Sequence, residues 1–228
     1  MKNNFYSKGI IVIRKLIKIF SIRYKIIYSS MQQIPAVYIV HHQNLNGPIT
    51  SILWLNTHLH MWVLSPFLNR RSCYNHYVNY TFTKRFGMSR VLASIIAFPV
   101  SFFVSWLLNS IKAVSVYRGK REIVLTFKQS VTALIKGESL LISPDIEYTD
   151  TGSDMGEMYD GFLNIDKYYV KETNKHIAFI PVHINQKSHS IYIGNSVQFN
   201  DNGLFKDEKK EIMEKLKNEF KRLQNLLE

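Results

Sequence analysis

Apolar positions first recur with a helical period between Ile10 and Tyr28. At about 100° per residue, Ile13, Leu16, Ile17, Phe20, Tyr24 and Ile27 fall on one side, and Arg14, Lys15, Lys18 and Lys25 fall opposite. The pattern predicts an N-terminal amphipathic helix, interrupted on its basic face by Ile11 and Ile22. No small-residue cleavage site follows it, so a removed signal peptide is not expected. A second apolar segment, Val91 to Ile111, runs for 21 residues without a charge, the length of a candidate membrane helix. Pro99, its serines and Asn109 point instead to a buried or interfacially embedded helix, broken near Pro99. Arg85 and Arg90 before it and Lys112 after it assign no orientation.

Short β-rich runs lie between and beyond these segments. They are AVYIV before His41, AVSVY before Arg118, SLLIS before Pro144, HIAFIPVHI around Pro181, and SIYIGNSVQF. Their alternation with helical stretches such as Val124 to Ile135 predicts βαβ units. The fold class is therefore α/β: a mixed, largely parallel sheet flanked by helices, with the amphipathic helix at its start and the apolar, membrane-associating helix within it. Ile212, Leu216, Phe220, Leu223 and Leu227 give a closing amphipathic helix. The expected division is a docking helix over 1–30, an α/β domain over 31–205 that includes 91–111, and a terminal helix over 206–228.

Charge changes this picture more than composition does. Residues 1–121 hold 16 Lys and Arg and no Asp or Glu, whereas the remainder holds 13 basic and 17 acidic residues. Such polarity points to an anionic partner surface. The basic residues sit among Ile, Leu, Val and Phe, which favours the anionic leaflet of a membrane over nucleic acid. With a single cysteine, Cys73, no intramolecular disulfide is possible, and the location that fits best is the cytoplasmic face of the cell membrane.

Candidate chemistry centres on HHQNLNGP, residues 41–48, directly after AVYIV. Two histidines at the C-terminal end of a strand stand where α/β folds present ligand-binding groups, and histidine is the usual general base near neutral pH. A polar turn capping a helix through Asn44 or Asn46 would give the same pattern. A dense run of acids, PDIEYTDTGSDMGEMYDGF over 144–162, reads as a long loop. Its candidates are Asp145, Glu147, Asp150, Glu157 and Asp160, with Met158, Tyr159 and Phe162 interleaved. His58-Leu59-His60 has the spacing of a strand face and not of a helical metal pair, so no metal site is expected. The glycines form no phosphate-binding or dinucleotide fingerprint, and Cys73 has no nucleophile signature.

Four blocks in order resemble the glycerolipid acyltransferase family, which includes the lysophospholipid and 1-acylglycerol-3-phosphate acyltransferases. The family opens with Asn-His-Gln-Ser and carries Asp five positions after the His. Here His41-His42-Gln43-Asn44 is similar to that opening, and Gly47 stands where the Asp is expected. AVSVYRG, residues 113–119, resembles an apolar strand ending in Arg, with Arg118 in the Arg position. Ser143-Pro144-Asp145-Ile146-Glu147-Tyr148 resembles Phe-Pro-Glu-Gly-Thr-Arg, with the Pro and the following acid kept, and Phe179-Ile180-Pro181-Val182 resembles the last block. The resemblance spans roughly residues 35–185.

This resemblance implies transfer of a fatty acyl group from acyl-CoA or acyl carrier protein to a hydroxyl of a lysophospholipid or other lipid-linked acceptor. It implies no bound cofactor. His42 would be the general base and Asp145 the acid that replaces the missing Asp. Arg118 would hold an acceptor phosphate, and His41, Gln43, Asn44, Pro144, Glu147, Glu157, Asp160 and Gly161 would line the substrate site. The alternative is a non-catalytic lipid-binding protein on a degenerate scaffold. No acid precedes Glu122, so any carboxylate that orients the histidine must come from the second half, and the expectation is that the acidic loop brings one to His42.

Overall fold

The structure is a computed structural model that describes residues 5–31, 33–117, 121–147, 152, 155–201 and 203–226. Helix α1 (Lys8–Phe20) leads to β1 (Lys25–Tyr28), β2 (Ala36–Val40), α2 (Asn46–Trp54) and β3 (Leu59–Leu64). Next come α3 (Arg70–His76), a π-helical stretch Tyr77–Arg85, α4 (Arg90–Ser110) and β4 (Val114–Val116). The chain continues through α5 (Ile123–Ile135), β5 (Ser139–Ile142), α6 (Ile165–Thr173), β6 (Ala178–Asn185), β7 (Ser190–Ile193) and α7 (Phe205–Asn225). The strands form one mixed, mostly parallel seven-stranded sheet in the order β1-β7-β6-β2-β5-β3-β4.

Two compact units divide the chain. The first comprises residues up to Lys15 with Met61–Thr126, and the second comprises Leu16–His60 with Phe127–Glu228. The central strands of the second unit are buried on both faces, so β2 and β5 read as unbroken apolar runs, AVYIV and SLLI. β2 pairs in parallel with β5 and with β6, setting Val40 opposite Val182 and Ile39 opposite both Ile142 and Pro181. Pro181 lacks an N–H, yet it sits in the middle of β6; its carbonyl still accepts from Gly194 N at 2.8 Å. β7 runs antiparallel to β6 and parallel to β1. Helix α7 packs on β6 and buries Ile212, Leu216, Phe220 and Leu223, each such burial worth roughly 1.5–3 kcal/mol.

In the first unit β3 pairs in parallel with β4. A cluster of Phe5, Tyr6, Ile10, Leu108 and Ile111 joins the start of α1 to the end of α4. Helix α4 turns its small side chains inward: Ala93, Ala97, Ser101 and Ser105 are buried at four-residue spacing. Its bulky Val91, Ile95, Phe98, Phe102 and Phe103 are exposed. That is the reverse of a helix built to fill its own protein's core.

Two boundaries differ from the sequence expectation. The amphipathic helix ends at Phe20, not Tyr28, because Lys25–Tyr28 is taken into the sheet as β1, where Ile26 and Ile27 suit a pleated strand better than a helix end. Helix α4 is not broken near Pro99 but runs on through it. The proline is exposed, and its loss of one backbone donor leaves the flanking turns in place.

Candidate active site

The site lies at the C-terminal ends of β2 and β5 and is built wholly within the second unit. Chain direction alternates side chains at a strand end, so consecutive histidines after Val40 separate. His41 turns inward and is 4% exposed, while His42 is half-buried. Asp145, three residues past the end of β5, is likewise buried and is anchored from both sides. It bridges to Met158 across the base of the acidic loop, where Ile146 N donates to Glu157 O at 3.0 Å and Tyr159 N donates to Pro144 O at 2.8 Å. The interleaved Met158 is buried and closes that base.

Asp145 serves both histidines with different atoms. Its Oδ1 is hydrogen-bonded to the imidazole Nδ1 of His41, and its Oδ2 accepts the backbone N–H of His42 at 3.0 Å. The expected acid does reach the motif, but the ring it holds is that of His41; what it takes from His42 is the backbone N–H. The reason is the pleat: consecutive residues at a strand end point to opposite sides, so the buried His41 ring faces the carboxylate that arrives from the neighbouring parallel strand's end.

The two imidazoles are held through Nδ1 in opposite ways. Nδ1 of His41 faces the Asp145 carboxylate, and with the proton there a neutral ring presents Nε2 as an acceptor. That Nε2 is buried and has no hydrogen-bond partner among the described residues. In His42, Nδ1 accepts the N–H of Leu45 at 3.2 Å, so the proton resides on Nε2. One ring can therefore accept a proton, and the other can donate a hydrogen bond.

The turn that follows is strained. Gln43, Asn44 and Leu45 all have left-handed φ, at 44°, 49° and 78°, and none is glycine. Three such residues in succession cost roughly 3 kcal/mol, and strain of this kind gathers at functional sites. Buried Gln43 is tied down by donating Nε2 to Ile184 O at 3.3 Å, and its Oε1 accepts from Asn46 Nδ2 at 3.4 Å. Gly47 follows with its backbone against His41: a Cβ there would lie 1.8 Å from the His41 carbonyl oxygen. No aspartate fits at 47. Counted from His41 in place of His42, the fifth position is Asn46, whose Oδ1 accepts from Thr50 Oγ1 at 3.3 Å.

The remaining expected residues are distributed differently. Pro144 is buried beside Asp145, whereas Glu147, Glu157, Asp160 and Gly161 are exposed, and Asp160 is held by Lys209 at 2.9 Å. Arg118, Tyr148 and Asp150 lie outside the described residues. Two features escaped the sequence reading. His183 is 2% exposed and follows Val182 on β6 as His41 follows its partner Val40 on β2. His60 pairs with Glu138 at 2.7 Å, opening β3. Nearby on β2, burial and then Tyr28 push the phenol of Tyr38 up to about 12, which keeps it neutral.

A mostly parallel sheet with a carboxylate-bound histidine at the strand ends defines the class of scaffold: an α/β fold with a candidate acid–base site at its strand ends. No protein-family profile and no curated protein matches the chain. Among solved structures the chain is similar to the crystal structure of the 1-acyl-sn-glycerophosphate (LPA) acyltransferase PlsC from Thermotoga maritima. The two are 12% identical, and the likeness covers 93% of this chain and 78% of that one with a TM-score of 0.51. At that identity the likeness establishes the fold, a divergent PlsC-like one.

Proposed function

We propose that the chain transfers a fatty acyl group from a thioester donor, acyl-CoA or acyl carrier protein, to a hydroxyl of a lysophospholipid or other lipid-linked acceptor. The observation that carries this reading is the double engagement of Asp145, which fixes one imidazole as a base. His41 Nε2 takes the acceptor's hydroxyl proton as the oxygen attacks the thioester carbonyl. The C–S bond then breaks, and the proton passes from Nε2 to the departing thiolate. Asp145 holds the tautomer and stabilises the imidazolium that forms. His42, first expected to be the base, is better suited to donate Nε2–H to an oxygen of donor or acceptor. Arg118 stays the candidate for an acceptor phosphate on sequence grounds, with Asn44, Glu147, Glu157, Asp160 and Gly161 as acceptor-facing positions. The basic, apolar first unit would place the site on the anionic cytoplasmic leaflet.

Incubation of the purified chain with lysophosphatidate and acyl-CoA or acyl carrier protein, followed by lipid mass spectrometry, tests the reading. A diacyl product lost about 10²- to 10⁴-fold in His41→Gln is expected. Absence of product with every donor, or product undiminished in His41→Gln, overturns it. The burial of Nε2 favours a second reading, a lipid-binding protein without turnover, because acceptor entry then requires rearrangement around that atom. Lysolipid binding without product in the same assay would select it.

A further inference from the structure

A groove of about 480 Å³ in the first unit is lined by Asn69, Arg70, Arg71, Tyr74, Phe98 and Ser101. Its charges are unbalanced. No Asp or Glu precedes Glu122 in the chain, and among the described residues neither Arg70 nor Arg71 has a carboxylate or other side-chain hydrogen-bond partner. Arg70 is nonetheless held in place: its guanidinium carbon lies 5.0 Å from the ring centroids of both Phe98 and Phe102, one turn apart on α4. Cation–π contact with two rings orients a guanidinium without using up its N–H groups, and these suit bidentate recognition of phosphate oxygens. Asn69 Oδ1 accepts the backbone N–H groups of Arg71 and Ser72, at 3.0 and 3.2 Å, and so fixes the start of α3 from which both arginines project.

The rim of the groove says which phosphate. Phe98 is 61% exposed and continues the exposed row of Val91, Ile95 and Phe102. A soluble anion would leave that row in water, whereas a lipid in a bilayer would cover it while presenting its phosphate at the level of the arginines. We infer that Arg70 and Arg71 form a headgroup clamp for the phosphate of an anionic glycerophospholipid, set beside an α4 face that enters the same leaflet. This rests on the membrane-docking reading of the first unit and adds to it a discrete site. It is separate from the acyl-transfer chemistry proposed for the second unit.

Flotation of the full chain with phosphatidylcholine vesicles, alone or doped with phosphatidylglycerol, tests the clamp, with thermal melts to verify that each variant is folded. The wild-type chain is expected to prefer doped vesicles. Arg70→Gln with Arg71→Gln should lower that partition about thirtyfold, and Arg70→Lys with Arg71→Lys, which keeps the charge, should still lower it severalfold. Lys84→Gln with Arg90→Gln removes equal charge outside the groove and should cost less than the first pair. Equal losses for the two neutralised pairs, together with no loss for the lysine pair, would reduce the clamp to diffuse charge and overturn it while leaving docking intact. Absence of binding to any vesicle would overturn both. Saturable binding of glycerol 3-phosphate in solution, as tight as binding to doped vesicles, would overturn the assignment to a bilayer lipid.

Discussion

Gly47 lies so close to the backbone oxygen of His41 that the smallest side chain would place its Cβ 1.8 Å from it. The absent motif carboxylate at 47 is thus a steric necessity of this turn, and restoring it does not restore a triad. Gly47→Ala is expected to destabilise the chain by about 3 kcal/mol or more, and Gly47→Asp by at least as much. Urea unfolding followed by fluorescence measures both. A fully stable Gly47→Asp chain with raised acyl transfer would mean that the turn is built differently.

Asp145→Ala removes the acceptor of two donors at once, the buried His41 ring and the part-buried His42 N–H. The expected loss is about 3–5 kcal/mol. Asp145→Asn keeps oxygen and shape, so it should fall by less than half as much, yet lose acyl transfer almost as fully, because a neutral amide no longer stabilises the imidazolium. Parallel denaturation and product assays separate the two effects.

His176 joins Asp166 at 2.8 Å and Asp201 at 2.9 Å, while Asp166 also accepts Ile177 N–H at the entry to β6. Burial by itself would lower the His176 imidazole, but its hydrogen bonds to the two carboxylates outweigh that and leave it raised above 6.5. A raised folded value means that the protonated ring stabilises the fold fully below pH 6.5 and that this contribution is lost as pH rises through the folded value. Burial likewise raises Asp166 above 3.8, against its bonds to Ile177 and His176, which acts in the same direction at lower pH. Melting temperature should therefore fall as pH climbs from 6.5 through the folded value, and His176→Gln should flatten that slope. An unchanged slope in the variant would remove His176 as its source.

The exposed row on α4 gives a prediction in which stability and membrane binding diverge. Ile95→Ser with Phe103→Ser removes two side chains that are 66% and 53% exposed. The melting temperature should move little, while vesicle partition should drop about tenfold per residue, since each side chain would be buried only in lipid. Loss of folding in this variant would place these residues in a core.

The central strands were legible because they are buried on both faces and so read as apolar runs with few polar residues: AVYIV, SLLI and AFIPVHIN each stand out. β1 was not, since KIIY continues the helical spacing of Leu16, Ile17 and Phe20, and only pairing with β7 decides for strand. The π-helical stretch Tyr77–Arg85 has no apolar period to announce it. At the site, the sequence placed both histidines at a strand end and required the acid to come from the second half, with Asp145 foremost. It could not say which ring the acid holds, because that depends on the pleat and on a partner 104 residues away. Counting five positions from His41 lands on Asn46, a register that the first choice of His42 concealed.

The second unit is interrupted in sequence. Its two pieces, Leu16–His60 and Phe127–Glu228, are separated by the whole stretch of the first unit that begins at Met61. A chain leaving the ribosome therefore exposes its acid-free portion, the one proposed to dock on a membrane, well before Asp145 exists to meet His41. Closing so long a loop is entropically costly and slows native pairing, so the histidine ought to find its carboxylate late in folding. The growing chain would then have its chance to reach a membrane while the site is still unmade, and chemistry would switch on only after arrival.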